Sequence, residues 1–144
     1  MKEFIKNNAL YGAFAGVLIA TLGSLYFSEI ANFPPCVLCW YQRICMYPLV
    51  PILGFAIYKR SRDIVLPAFV LVAVGWLIGV YHNLLYYEIL PEAAAPCLAG
   101  VSCTTKFIEW FGFVTIPLLS LVGFTAILIA LIIYWRTSKG ETND

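Results

Sequence analysis

Four long stretches of this 144-residue chain carry almost no charge, and that leaves few ways for it to fold. Asn7–Ser28 runs 22 positions without a charged residue, and Trp110–Trp135 runs 26. Ile64–Tyr87 is also uncharged apart from the titratable His82, and Cys39–Tyr58 contains only Arg43. About 20 apolar residues suffice for a helix to cross a hydrocarbon core of ~30 Å. Backbone in lipid must hydrogen-bond to itself, which selects helices, and the hydrophobicity is too continuous for the alternating strands of a membrane barrel. Residues 9–28, 39–58, 64–87 and 110–135 are therefore expected to form an all-α, polytopic membrane four-helix bundle in a single domain spanning 1–144. Composition agrees. Hydrophobic residues make up 62% and charged residues 12%, against roughly 45–50% and ~25% in soluble domains.

Lys2 and Lys6 precede the first run as in a secretory signal. The run is longer than a signal core of about 7–15 residues, however, and no small-x-small cleavage pattern closes it. It reads as an uncleaved first span.

The connections alternate sides. Lys2, Lys6, Lys59, Arg60, Arg62, Arg136 and Lys139 fall on one side, seven of the nine basic residues. Arg43 and Lys106 fall on the other, together with Glu29, Glu88, Glu92 and Glu109. The positive-inside rule then puts both termini in the cytoplasm and both longer connections outside. Net charge is only +1, so nothing points to nucleic acid. The short Lys59–Asp63 turn makes spans two and three antiparallel neighbours. Gly12/Gly16 and Gly75/Gly79 are small-xxx-small pairs, expected to allow close helix packing within the bundle, with dimerisation through these faces as the alternative. Tyr26, Phe27, Tyr86, Tyr87, Trp110, Tyr134 and Trp135 gather at span ends as interfacial aromatics do.

Four of the five cysteines form two pairs, Cys36/Cys39 and Cys97/Cys103, both on the outer side. Pro34-Pro35 favours a helix start at the first pair. That would put Cys36 near a helix N-terminus, where the dipole stabilises a thiolate. Cys39 lies on the same face, deeper. A structural disulfide across three residues would close almost no loop. A zinc site would need a more usual spacing in the second pair than Cys97-x5-Cys103. Thiol–disulfide exchange is the better reading, and no metal is expected. Pro91, Pro96 and Gly100 argue for an irregular, exposed second pair that a soluble partner's thiolate can reach. A structural staple for this loop is the alternative.

Arg43 follows Cys39 by one helical turn. Only 15 residues separate it from the cytoplasmic turn, or about 22 Å of helix, so it should sit at or just inside the outer boundary. A charge there marks function by default, as a stabiliser of the Cys39 thiolate and of a bound anionic acceptor. The alternative is an arginine snorkelling to headgroups. His82 is read chiefly as an interhelical hydrogen-bonding group, with a proton donor or acceptor-site ligand as the second reading. Cys45 is read as a packing residue.

With Cys36-Val-Leu-Cys39-Trp-Tyr-Gln-Arg43 heading span two and a cysteine pair in the second outer loop, the whole chain resembles the DsbB family. These are membrane disulfide-forming oxidoreductases, and the short second loop fits the Gram-positive BdbC branch. The resemblance implies a four-helix bundle in the bacterial cell membrane with its active cysteines at the extracytoplasmic face. It implies a bound quinone, menaquinone or ubiquinone, drawn from the membrane lipid and quinone pool, and a DsbA/BdbD-like thioredoxin-fold thiol oxidase as partner. On that pattern Cys36, Cys39, Cys97 and Cys103 are catalytic, and Arg43 and His82 lie near the quinone. The partner attacks the Cys97–Cys103 disulfide at Cys97, Cys36 and Cys97 exchange, and Cys39 becomes a thiolate beside the quinone.

Three other functions fit less well. An outward reductive relay needs thiols reachable from inside, and only the unpaired Cys45 lies below the outer pair. A vitamin K epoxide reductase-like quinone reductase places its C-x-x-C late in the bundle. A non-enzymatic assembly protein would use both pairs as structural disulfides.

Overall fold

The uncharged runs are helical in the computed structural model, which describes residues 1–91, 93, 102–104, 112 and 114–139. Helix α1 spans Lys2–Leu25 and ends in a single widened π-helical turn, Tyr26–Ile30. After it come α2, Val37–Met46, α3, Leu49–Lys59, α4, Val65–Tyr86, and α5, Ile116–Lys139. Among the described residues, three helical segments are long and apolar enough to cross a membrane alone: Lys2–Ile30, Val65–Tyr86 and Ile116–Lys139. Helices α2 and α3 make the remaining crossing in series.

Three expected boundaries need correction. The second span is two helices, because Pro48 has no N–H to continue the ladder and its ring clashes with the preceding turn. The Tyr47 N–H still bonds the Arg43 carbonyl at 2.9 Å, and α3 restarts with Val50 N–H on the Tyr47 carbonyl at 3.2 Å. This span also starts at Val37, two residues before Cys39. Helix α5 starts at Ile116, six residues past Trp110, which lies outside the described residues. Thr115 caps it, its hydroxyl accepting from Leu118 N–H at 3.3 Å and its carbonyl from Leu119 N–H at 2.9 Å. At the basic end α1 begins at Lys2 and α5 runs on to Lys139, since nothing in either flanking sequence breaks a helix.

The bundle places α1 against α5 and α3, α4 against α5, and α2 against α4. Val17, Leu49, Leu53, Ala56, Val65, Ala68, Val72 and Leu131 are fully buried at its centre. Ile19, Phe55, Leu77 and Ile129 point outward, as lipid-facing residues must. Gly75 lies against the Phe124 ring so closely that a Cβ there would overlap it, and a Cβ on Gly79 would meet Leu121 Cδ1 at 3.4 Å. A Cβ on Gly16 would meet Ile127, whereas one on Gly12 would meet no other element within 4 Å among the described residues. The small residues of span three thus serve packing inside the bundle. Trp76 Nε1 donates to Thr125 Oγ1 across the same α4–α5 contact at 3.0 Å.

Overpacking a filled contact typically destabilises by about 1–3 kcal/mol. Gly75→Leu should therefore lower the melting temperature of the detergent-solubilised protein, and adding Phe124→Ala should recover part of the loss. Gly12→Ala should leave it unchanged. Equal effects at the two glycines would contradict this packing.

Candidate redox site

The two ends of the bundle differ. Lys2, Lys6, Lys59, Arg60, Arg62, Arg136 and Lys139 lie at the end where α1 begins, α3 meets α4 and α5 finishes. There the Arg62 guanidinium covers the Trp135 ring at 4.1 Å. The opposite end is built from irregular backbone. The π-helical turn closes with Ala31 N–H on the Tyr26 carbonyl at 3.0 Å. Asn32 then takes a left-handed φ of 54°, which asparagine tolerates better than most residues. Phe33 N–H bonds the Phe27 carbonyl at 2.9 Å, and the two rings stack 6.2 Å apart. Pro34-Pro35 carries the chain from there into α2.

Cys36 is the N-cap of α2, with extended backbone (φ −72°, ψ 169°), and its sulfur accepts the Cys39 N–H at 3.4 Å. A sulfur in that position faces the unsatisfied amides and positive end of the helix dipole. The Cys36 and Cys39 Sγ atoms stand 2.8 Å apart and both residues are free thiols. His82, near the end of α4 and buried, brings Nε2 to 3.7 Å from Cys36 Sγ and 3.3 Å from the Cys103 carbonyl oxygen. Cys103 is buried in the same small cluster as Cys36, Leu38 and Leu85, and it is disulfide-bonded. Its expected partner, Cys97, lies outside the described residues. One imidazole therefore touches the first cysteine pair and the backbone of the second.

Cys36 stands just outside the second crossing, and its thiol pKa is lowered well below the ordinary thiol value. The hydrogen bond from the Cys39 thiol is the largest cause; burial opposes it, while His82 and the Cys39 N–H reinforce it.

Beside these groups lies a cavity of about 340 Å³ between α1, α2, α4 and α5. Cys36, Cys39, Arg43, His82 and Cys103 all line it, within walls supplied largely by apolar residues such as Phe27, Met46 and Phe124. Arg43 is only 9% exposed, donates from Nη2 to the Ser24 carbonyl at 2.9 Å and lies 5.4 Å from the Trp40 ring centroid. Among the described residues no carboxylate pairs with it. It is a wall of the cavity, turned inward, and does not snorkel.

Gln42 and Ser120 also line the wall. Ser120 on α5 donates to Gln42 Oε1 at 2.9 Å, and the buried Gln42 Nε2 has no hydrogen-bond partner among the described residues. Asn83 Nδ2 donates to the Gly79 carbonyl at 2.8 Å and the Pro117 carbonyl at 3.0 Å, tying α4 to the start of α5. Sequence reasoning overlooked all three. Gln42 had a signal, a polar residue three positions after Cys39 on the same helical face. Ser120 had none, because its role depends on a contact across the bundle.

A family model described as "Disulfide bond formation protein DsbB" matches residues 6–134. The chain belongs to the DsbB family. It is 47% identical over 128 residues to "Probable disulfide formation protein C 1" of Bacillus anthracis, covering 89% of this chain and 92% of that protein. It is 46% identical over 138 residues to "Disulfide bond formation protein C" of Bacillus subtilis, covering 94% and 95%. The relative in Halalkalibacterium halodurans, "Probable disulfide formation protein C", shares 43% over 130 residues, 90% of this chain and 95% of that one. No solved structure matches. This DsbB-family protein is thus a multi-pass membrane oxidoreductase of disulfide bond formation.

A thiol with a lowered pKa stays a thiolate as pH falls, until pH passes through that pKa. In the reduced protein, alkylation of Cys36 by iodoacetamide should be nearly flat from about pH 8 to about pH 6, where an ordinary thiol near 8.5 slows roughly tenfold per unit. His82→Ala should shift the profile toward higher pH. An ordinary thiol profile, read by mass spectrometry of the Cys36 peptide, would contradict the assigned environment.

Proposed function

We propose that this protein is a thiol:quinone oxidoreductase that reoxidises an extracytoplasmic thioredoxin-fold thiol oxidase and so sustains disulfide formation in exported proteins. The observation that carries the reading is one apolar cavity bordered by a C-x-x-C dithiol, a buried arginine that meets no carboxylate among the described residues, and the disulfide-bonded Cys103. The seven-to-two distribution of basic residues supports placing that end outside the cytoplasm.

A quinone suits the cavity. Its volume falls within the range of small-molecule sites, about 300–1,000 Å³, and its walls are largely apolar. Gln42 Nε2, a buried donor without a partner among the described residues, lies at its edge, suited to a quinone carbonyl. Arg43 supplies the positive charge that an anionic, reduced head group needs. A bound quinone would accept two electrons and two protons, leaving Cys36 and Cys39 as a disulfide.

The thiol chemistry proceeds through the chain's own sulfurs. The partner's thiolate attacks the Cys97–Cys103 disulfide at Cys97, and Cys103 leaves as a thiolate. Cys103 lines the same cavity as Cys36, which favours Cys103 over Cys97 as the group that attacks the Cys36–Cys39 disulfide. A Cys36–Cys103 bond forms and Cys39 leaves as a thiolate. The partner's second thiol then resolves the mixed disulfide at Cys97, and the partner departs oxidised. The Cys97 thiolate next attacks Cys103, restoring the loop disulfide and leaving Cys36 and Cys39 as the reduced pair. His82 Nε2, in contact with both Cys36 and the Cys103 backbone, is positioned to hold or move the proton that this exchange requires. Cys45 packs in the apolar core and takes no part.

Two variants test the assignments. With a thioredoxin-fold oxidase whose second active-site cysteine is replaced by serine, a covalent complex through Cys97 should accumulate on non-reducing gels; a complex through Cys103 instead would sink the order of attack. Arg43 provides the quantitative test. A unit charge about 4 Å from an anion contributes ~4 kcal/mol at an effective dielectric of 20, and ~1.4 kcal/mol is a tenfold change. Arg43→Ala should raise the quinone KM or lower kcat about tenfold or more in folded protein, with Arg43→Lys intermediate because the planar fork is lost. Exchange with the soluble oxidase should change far less. Unaltered quinone kinetics in Arg43→Ala would reduce this residue to a helix tie between α1 and α2.

A further inference from the structure

The reduced site has a second capacity that thiol exchange does not use. Cys36 Sγ, Cys39 Sγ and His82 Nε2 all lie within 4.8 Å of one another, on α2 and α4, with the two Cys36 contacts at 2.8 and 3.7 Å. Thiolate, thiolate and imidazole form the donor set of a catalytic-type zinc site, which keeps a fourth position open. Zn–S bonds of ~2.3 Å and Zn–N bonds of ~2.0–2.1 Å in a tetrahedron set the S···N edge near 3.6 Å and the S···S edge near 3.8 Å. The Cys36–His82 separation already matches the first. Opening the two sulfurs by about 1 Å, a rotation about one Cys χ1, would reach the second. The Cys103 carbonyl, 3.3 Å from His82 Nε2, stands close to the ~3.4 Å expected between nitrogen and an oxygen ligand.

We infer that the reduced protein binds a thiophilic d10 cation, Zn²⁺ foremost, through Cys36, Cys39 and His82, and that the oxidised protein does not. The cation replaces the protons shared among these three groups. Two thiolates neutralise its charge, which suits a buried, apolar site. Both sulfurs of the Cys36–Cys39 disulfide are committed to each other and offer no thiolate, so metal affinity becomes conditional on redox state. A bound cation withholds Cys36 and Cys39 from Cys103 and from any acceptor in the cavity. Extracytoplasmic zinc would therefore inhibit selectively, arresting the reduced enzyme.

The test uses the full chain in lipid nanodiscs, carrying Cys97→Ser and Cys103→Ser so that loop thiols do not contribute. Under anaerobic reduction, one equivalent of Co²⁺ should produce thiolate-to-cobalt charge transfer and tetrahedral ligand-field bands, both abolished by Zn²⁺. Oxidation of Cys36–Cys39 should abolish binding, His82→Ala should weaken it about tenfold or more, and Cys45→Ala should leave it unchanged. In the otherwise native protein, Zn²⁺ should protect reduced Cys36 and Cys39 from alkylation, reversibly with EDTA, so the inference stays testable if the loop variant does not fold. Equal binding by oxidised and reduced protein, undiminished binding in His82→Ala, or no protection of the two thiols would overturn the inference. No quinone enters these readouts, so their failure would leave the proposed quinone chemistry untouched.

Discussion

A chain in hydrocarbon must satisfy its backbone amides within its own helices, and the redox site occupies the end of the bundle where that requirement relaxes. Along the crossings the i→i−4 ladder breaks at Pro48, and only briefly. At the cysteine end it is interrupted repeatedly, by the π-helical turn after Leu25, by Pro34-Pro35 and by the caps at Cys36 and Thr115. Interruptions of this kind leave amides and carbonyls to be satisfied by side chains, and several of those side chains border the candidate site. The Cys36 sulfur takes the Cys39 N–H, the Arg43 guanidinium takes the Ser24 carbonyl, and Asn83 takes that of Pro117. The thiol pair is thereby held at a helix N-terminus beside a cavity.

Close packing between α4 and α5 sets the shape of that cavity. Gly75 admits the Phe124 ring and Gly79 lets Leu121 and the Gln42 amide approach α4. Interhelical hydrogen bonds in membranes average only about 0.6 kcal/mol, so the contacts Trp76–Thr125 and Gln42–Ser120 specify geometry more than they stabilise it. The buried charge of Arg43 is different in kind. Held by one carbonyl and an aromatic face, with no carboxylate among the described residues, it keeps an uncompensated positive potential at the cavity wall. In the proposed chemistry, an acceptor that becomes anionic would gain from that potential only after it is reduced, which is how binding energy contributes to rate.

Much of this was legible in the sequence because it depends on composition over long windows or on residues close together in the chain. The four crossings follow from uncharged runs, and the split of basic residues to one end follows from their positions. Cys36 at a helix start follows from Pro34-Pro35, and Arg43 one turn past Cys39 follows from helical periodicity. Pro48 and Thr115 were present as signals but were outweighed by continuous hydrophobicity, so the second and fourth spans were drawn too simply. Contacts across the bundle were not legible. Nothing local tells that His82 reaches both Cys36 and the Cys103 backbone, or that Ser120 orients Gln42 from 78 residues away. Cys45, with no neighbour in sequence to pair with, was rightly read as core.

The central claim is that electrons leave the Cys36–Cys39 dithiol for a quinone in the adjacent cavity. It is tested most directly by a single turnover without the soluble oxidase. Fully reduced protein in nanodiscs, mixed anaerobically with menaquinone, should form quinol in step with loss of the Cys36 and Cys39 thiols, one quinol per disulfide. Protein carrying Cys36→Ser should form none. Quinol formation that persists in that variant, or a dithiol that stays reduced beside excess quinone, would contradict the claim.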